Sequence, residues 1–214
     1  MAGLSVEGVQ VQRLGPVDYE EALTIMRELQ QQRIDGVIGD TLLILEHPEV
    51  VTVGPRARND GIKPPSDYNT VNVDRGGGLT WHGPGQIVCY PIFKWGEREA
   101  EASVAEIIHI IETWVIHALA ELGIKGVRDE RMQGVWVDGH KVCSIGLSFL
   151  RWVSRHGFTI NVNTPSGRVE GVAGCGLSTE TTTSLARLGY DSTIPSVEQA
   201  LLDTVRDATG RSIS

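Results

Sequence analysis

The chain's most informative segment is Asp74-Arg75-Gly76-Gly77-Gly78-Leu79-Thr80-Trp81-His82-Gly83-Pro84-Gly85-Gln86. It holds five glycines, one proline and one histidine in thirteen residues, between two runs of strand-forming residues. Glycine permits backbone conformations with positive φ, and its missing Cβ lets the main chain approach a bound molecule closely. We therefore interpret residues 74–86 as a long surface loop that holds a ligand.

Composition narrows the class of protein. A chain of 214 residues with 41% hydrophobic and 21% charged residues predicts one globular domain over residues 1–214. The net charge of -8 argues against a nucleic-acid partner, which needs a dense basic surface. No run approaches the roughly 18 apolar residues of a membrane span, and residues 1–7 lack the features of a signal peptide. The sequence predicts a cytoplasmic protein with no membrane partner.

The three cysteines differ in their surroundings. An odd number without paired spacing predicts free thiols and no zinc site. Cys89 lies in an apolar strand and Cys143 in a hairpin strand, so packing roles are expected for both. Cys175 lies between Gly174 and Gly176, whose N–H groups could stabilise a developing oxyanion. Cys175 is therefore the candidate nucleophile.

Lysine is scarce, with four residues against fifteen arginines. Lys141 follows an Asp138-Gly139 turn, and only lysine of these two cations can lose its proton near neutral pH when desolvated. Lys141 is therefore a candidate catalytic amine. Because Cys143 follows it by two residues on the same strand, a local Lys141–Cys143 pair is an alternative.

Six histidines give no metal-binding spacing such as H-E-x-x-H, and no metal or cofactor is predicted. His82 and His156 are the two that are best placed to hydrogen-bond a ligand. A phosphate-binding loop is also not predicted, because Arg75-Gly76-Gly77-Gly78 follows a strand without opening a helix.

The periodicity of the chain predicts an α+β fold. Strands are expected at residues 41–46, 50–53, 70–73, 86–93, 134–137, 142–147 and 155–161, with a long surface loop at 55–69. Helices are expected after Asp18 with Glu21, from Ser103 with Glu106 as far as Gly123, and after Ser196 with Gln199. Asp138-Gly139 is a strong hairpin signal. Clustered strands with few intervening helices favour an α+β sheet over a doubly wound one.

The segment from Arg75 to Pro91, RGGGLTWHGPGQIVCYP, resembles the signature of the lipoyl(octanoyl) transferases. Residues 45–48, 141–146, 156–162 and 175–176 add matching pieces in the same order, so that the resemblance covers about residues 40–185. Related lipoate ligases typically carry His-Asp-x-Gly-Asn in place of His-Gly-Pro-Gly-Gln and lack the cysteine. The chain departs from the pattern at Thr159, where alanine is usual, and at Gly174, where proline is frequent.

This resemblance implies the fold of the biotin and lipoate protein ligases. It also implies an activity, the transfer of an octanoyl or lipoyl group from acyl carrier protein to a specific lysine of a lipoyl domain. Acceptors would be the lipoyl domains of 2-oxoacid dehydrogenase complexes and the glycine cleavage H protein. Carried over by residue, Cys175 is the nucleophile and Lys141 its partner. The residues implied to line the substrate site are Arg75, Gly76, Gly77, Gly78, Leu79, Thr80, Trp81, His82, Ser144, Ile145, Gly146, Gly157, Phe158 and Thr159.

Two rival functions remain open at this point. A binding module that recognises lipoyl or biotin carriers without catalysis is disfavoured by the presence of both Lys141 and Cys175. An ATP-dependent lipoate ligase is disfavoured by His82-Gly83-Pro84-Gly85. Because the carrier protein implied by the resemblance is acidic, we also expect a local positive patch at the mouth of the site. Its expected members are Arg56, Arg58, Arg151 and Arg155.

Overall fold

The computed structural model describes residues 8–172 and 178–214. These residues form nine β-strands and four α-helices. The strands are β1 (Gln10–Pro16), β2 (Thr41–Glu46), β3 (Val50–Val53), β4 (Thr70–Asn72), β5 (Leu79–His82), β6 (Gln86–Ile92), β7 (Val135–Val137), β8 (His140–Leu150) and β9 (Val153–Asn161). The helices are α1 (Tyr19–Ile34), α2 (Pro55–Asn59), α3 (Val104–Glu121) and α4 (Ile194–Thr209).

A six-stranded sheet with the order β1-β2-β6-β9-β8-β7 forms the centre of the fold. Its first pair is parallel and all the others are antiparallel. Along β2, Leu42 and Ile44 belong to the core formed with α3 and α4, whereas Leu43 and Leu45 pack with α1. The sheet is covered on both faces, which explains why residues 42–45 form an unbroken apolar run.

A second, three-stranded sheet has the order β4-β3-β5. Its strand β5 lies within residues 74–86, so the prediction of one continuous loop is wrong for Leu79–His82. Leu79 and Trp81 are buried in the core of this sheet, and β5 pairs antiparallel with β3. The strand is only four residues long and lies between glycines, so the sequence gives little signal for it.

The predicted surface loop 55–69 begins with the short helix α2 instead. Pro55 occupies its first turn, where a missing N–H costs nothing, and Ala57 is buried. The Arg58 guanidinium donates hydrogen bonds to the carbonyls of Val53 and Val73, which ties α2 to the smaller sheet.

The helix starts were predicted with mixed success. Ser103 Oγ accepts a hydrogen bond from the Glu106 N–H at the start of α3, as expected. Asp18 precedes α1 but makes no side-chain capping bond. The assignment of Ser196 as the cap of α4 is wrong, because Thr193 caps that helix and Ser196 lies inside it, returning a bond to the Thr193 N–H. Pro195 in the first turn is compatible with this earlier start.

The β7–β8 hairpin is confirmed. Asp138 and Gly139 both have positive φ, 49° and 80°, as in the tight turn that matches the twist of two strands. The α+β class is also confirmed. None of the helices in residues 8–172 and 178–214 combines the length and hydrophobicity that a membrane span needs.

Candidate active site

Lys141 lies near the start of β8, two residues after the hairpin turn, and only 5% of it is exposed. Trp136 of β7 lies opposite it on one side. On the other side its N–H donates to the Thr181 carbonyl, and its own carbonyl accepts a hydrogen bond from the Thr183 N–H. The lysine backbone is therefore fixed on both sides, as in the middle of a sheet.

Burial lowers the pKa of Lys141 from its usual 10.5 to about 8. The Arg75 guanidinium acts in the same direction, whereas the Cys143 thiol and the Glu112 carboxylate raise this pKa and so oppose the effect of burial. An amine with a pKa of about 8 is poised to accept and return a proton near neutral pH.

Arg75 shapes the glycine run that follows it. Its guanidinium donates to the carbonyls of Gly76 and Gly78, and also to the carbonyl and hydroxyl of Thr52 in β3. Between the two bonded glycines, Gly77 has a φ of 95°, a conformation that residues with a Cβ rarely adopt. The run is thus folded around a buried cation that lines the same cavity as Lys141.

A chain of buried amides and hydroxyls connects the two sheets. His82 lies between the Thr52 hydroxyl, 3.3 Å from Nε2, and the Gln86 amide oxygen, 2.9 Å from Nδ1. Gln86 donates to Asn161, which donates in turn to the carbonyl of Thr183 beside Lys141. Since an amide oxygen only accepts, His82 carries its proton on Nδ1. Burial, aided by the Arg75 guanidinium, holds the pKa of His82 well below its usual value, so its ring is neutral.

Five aromatic and imidazole rings gather at the inner end of the site, with centroids of neighbouring rings 5.1 to 6.3 Å apart. They belong to Tyr19, His47, His82, Tyr90 and His156. His156 is held between the Asp74 carboxylate, 2.8 Å from Nε2, and the Tyr19 hydroxyl, 3.2 Å from Nδ1. Burial lowers the pKa values of His47 and His156 to about 4. The rings therefore carry no charge at neutral pH, so they could line a binding site for an apolar molecule.

Two adjoining cavities bring the predicted substrate residues together. The larger one contains Lys141 and the smaller one contains the inner rings Tyr19, His82, Tyr90 and His156, and both share Arg75, Thr80, Ser144 and Ile145. Of the other predicted residues, Gly76, Gly77, Gly78, Leu79 and Trp81 line the larger cavity, and His82, Gly146, Gly157, Phe158 and Thr159 line the smaller one. Their role in binding stays a prediction.

Cys175 lies outside the described residues. The other two cysteines are free and fully buried, in keeping with packing roles. Burial raises the pKa of Cys143 to about 12 and that of Cys89 well above its usual value. Neither thiol forms a thiolate readily, which weighs against a Lys141–Cys143 catalytic pair.

Sequence reasoning left out several residues that build the site. Gln86 and Tyr90 lie within the segment 75–91 that carries the family resemblance, and Asn161 lies within 156–162, so the motif offered a signal for these three. Tyr19 and Glu112 lie on helices far away in sequence, and their contact with the site depends on helix packing against the sheet. No local pattern identifies them.

The four arginines of the expected positive patch are in different situations. Arg56 is exposed and lines the larger cavity, with only a loose 3.8 Å ion pair to Asp60. Arg58 is bonded to backbone carbonyls, and Arg155 is paired with Asp74 and largely buried. Arg151 is exposed at the turn between β8 and β9. The patch is thus reduced to Arg56 at the cavity and Arg151 at the hairpin tip.

The chain is similar to proteins of known family. Residues 18–206 match the lipoyl protein ligase A/B catalytic domain. The chain belongs to this family. A relative named octanoyltransferase from Rubrobacter xylanophilus is 39% identical over 94% of both chains. Another of that name, from Syntrophobacter fumaroxidans, is 39% identical over 82% of this chain and 78% of its own. The predicted resemblance to octanoyltransferases is confirmed.

Solved structures share the fold at low sequence identity. The bipartite lipoate protein ligase from Thermoplasma acidophilum superposes with a TM-score of 0.67 at 12% identity, over 98% of this chain and 86% of its own. The biotin protein ligase from Aquifex aeolicus gives a TM-score of 0.57 at 14% identity, over 94% of this chain and 68% of its own. The predicted fold of the biotin and lipoate protein ligases is confirmed.

Proposed function

We propose that residues 1–214 form one octanoyltransferase domain. It transfers an octanoyl group from an acyl carrier protein to a lysine of a lipoyl domain. Cys175 carries the group as a thioester, and Lys141 moves the protons. The observation that carries this proposal is the buried Lys141 amine, with a pKa of about 8, in a cavity lined by the family motif. Relatives named octanoyltransferase at 35–40% identity support it.

The proposed chemistry takes place in two exchanges. The Cys175 sulfur attacks the carbonyl carbon of the donor thioester, the bond to the carrier sulfur breaks, and the carrier leaves as a thiol. The acceptor amine then attacks the Cys175 thioester, forms the amide and restores the cysteine thiol. The first exchange replaces one thioester by another and the second runs downhill to an amide, so no ATP is required. Lys141 accepts the Cys175 thiol proton and passes it to the departing carrier sulfur. It then accepts a proton from the attacking amine and returns it to the Cys175 sulfur.

The described residues that flank 173–177 in the sequence support pairing Cys175 with Lys141. Val172, the last described residue before this segment, lines the larger cavity. After the segment, Thr182 lines the same cavity and pairs with Lys141. The chain therefore borders the Lys141 cavity on both sides of the cysteine.

The lining of the smaller cavity supports the proposal that an apolar acyl group binds there. Its rings are uncharged at neutral pH, because burial keeps His156 and His82 deprotonated. Burying an eight-carbon chain at about 0.8 kcal/mol per CH₂ gives on the order of 5 kcal/mol. An energy of that size is enough to dominate the choice of acyl group.

Intact-mass spectrometry tests the proposed function directly. After incubation with octanoyl-acyl carrier protein and no ATP, the protein is expected to gain the mass of one octanoyl group. Fragmentation is expected to place that group on Cys175, and a lipoyl domain added afterwards is expected to remove it. Acyl transfer that occurs only with free octanoate and ATP would identify a ligase, and transfer from neither donor would leave a binding module.

The exposed Arg56 gives a test of carrier docking. Arg56→Glu is expected to raise the KM for octanoyl-acyl carrier protein about tenfold, because reversing a charge at the rim of an interface slows encounter with an acidic partner. Activity with a small octanoyl thioester is expected to stay near normal. Arg58 is unsuitable for this test, since its bonds to Val53 and Val73 stabilise the fold.

Arg27→Glu, an equal charge change on the exposed side of α1, serves as the matched control. Equal loss with both donors would mean that Arg56 shapes the cavity. An unchanged KM for octanoyl-acyl carrier protein would mean that the carrier docks on a surface that does not include Arg56.

A further inference from the structure

Glu112 of α3 binds both ends of the loop 128–134, which leads into β7. Its side chain is buried, with 8% exposed, and its two carboxylate oxygens have different partners. Oε2 accepts from Arg128 Nε at 2.9 Å, and Oε1 accepts from the Gly134 N–H at 2.9 Å. A buried carboxylate is tolerated only when it is paired and hydrogen-bonded, so both bonds are needed to keep it there. The loop 128–134 is thereby closed onto α3.

The second end of this loop lies directly against the catalytic candidate. A Cβ added to Gly134 would lie 2.7 Å from Lys141 Cε and 2.2 Å from the Cys143 carbonyl oxygen. Gly134 also has a φ of 130°, a backbone conformation that residues with a Cβ rarely adopt. The aliphatic part of Lys141 therefore passes over a site that only glycine can occupy. Met132 and Gln133 of the same loop line the larger cavity beside the lysine.

We propose that Glu112 is a positioning residue for Lys141. By holding Gly134 in place, its carboxylate keeps the wall against which the lysine side chain lies and so fixes where the amine points. A displacement of about 1 Å in a reacting group can reduce a rate 10²-fold, so this wall matters for transfer. The expected effect on the rate of octanoyl transfer rests on the proposed function, whereas the expected effect on the pKa of the Lys141 amine does not.

The charge of Glu112 acts on the same amine. The charged groups that bear on Lys141 are Arg75 of the glycine run and Glu112 of α3, and Arg56 also lines its cavity. The Cys143 thiol of β8 also faces the amine, but burial keeps it protonated at neutral pH. Cys143 and Glu112 both raise the pKa of Lys141, and Glu112 is the one that is charged at neutral pH, so its carboxylate offsets part of the effect of burial there. Removing this negative charge should lower the pKa of the lysine further.

The test uses Glu112→Gln, which keeps the shape of the side chain and removes the charge. The rate of Lys141 acylation by a small anhydride, followed by peptide mass spectrometry against pH, reports the midpoint at which the amine loses its proton. We expect this midpoint to move to lower pH in Glu112→Gln. Octanoyl transfer is expected to fall on the order of tenfold. Glu121→Gln, at the exposed end of α3, is expected to change neither quantity.

Gly134→Ala tests the wall without changing any charge. It is expected to reduce transfer on the order of tenfold or more, because the added methyl group would overlap both the Cys143 carbonyl oxygen and the Lys141 side chain, so that β8 and the lysine must both shift. Gly123→Ala is the control for adding a methyl group at a glycine of positive φ: its φ is 73°, and nothing lies within 4 Å of the added Cβ. Thermal melting of each variant separates loss of folding from loss of position.

An unchanged labelling midpoint in a folded Glu112→Gln protein would overturn the proposal, as would full transfer by Gly134→Ala. A shifted midpoint in a protein that never transfers octanoyl would instead reject the proposed function and leave the role of Glu112 intact.

Discussion

Cys175→Ala is expected to abolish octanoyl transfer and to remove the covalent octanoyl adduct. Loss of a covalent nucleophile lowers rates by on the order of 10³-fold or more, since no other group can take over the acyl intermediate. The two remaining thiols are poor substitutes, because burial raises the pKa of both Cys89 and Cys143. The measurement is single-turnover transfer from octanoyl-acyl carrier protein, with intact-mass spectrometry on the same samples.

Cys143→Ala is the matched control for this experiment. It removes a buried thiol two residues from Lys141 and should keep most of the activity, although loss of the sulfur leaves a small cavity in the core. An adduct mapped to Cys143, or normal turnover by Cys175→Ala, would reject the assignment of the nucleophile. Retained folding is checked by the melting temperature of both variants.

Much of the fold followed from local patterns in the sequence. The hairpin around Asp138-Gly139 was predictable because two adjacent positive φ values strongly favour that pair of residues. The start of α3 was predictable because Ser103 and Glu106 satisfy the first free N–H groups of the helix. In both cases the residues that determine the structure lie within four positions of one another.

The parts that escaped prediction depend on contacts between distant segments. β5 exists because Leu79 and Trp81 pack into the small core and pair with β3, which its glycine-rich surroundings conceal. Glu112 became part of the site only because α3 packs beside β7 and β8, more than twenty residues later in the chain. The family resemblance did identify residues that line both cavities. A family motif can do so because it includes residues that meet only in the folded protein.

Lys141→Ala and Lys141→Arg are both expected to reduce transfer by on the order of 10² to 10⁴-fold, the usual contribution of a general base. Arginine preserves the positive charge but does not release its proton at accessible pH. In the wild type, the rate should rise as the pH increases through about 8, because the unprotonated amine is the active form. A near-normal rate with arginine would reduce the role of Lys141 to electrostatics.

Lys141→Met separates catalysis from stability, since the two should change in opposite directions. The pKa of about 8 in the folded protein is lower than the usual 10.5, so the unfolded chain binds more protons between these values. The stability of the wild type should therefore rise with pH from about 8 to 10.5, and below pH 8 the full cost of burying the amine remains. At neutral pH that cost is on the order of 3 kcal/mol, which methionine avoids.

We expect Lys141→Met to be inactive in transfer yet to melt at a higher temperature than the wild type at pH 7. The gain should shrink toward pH 10.5, and a lower melting temperature at pH 7 would show that the lysine is paired with a charge that stabilises it.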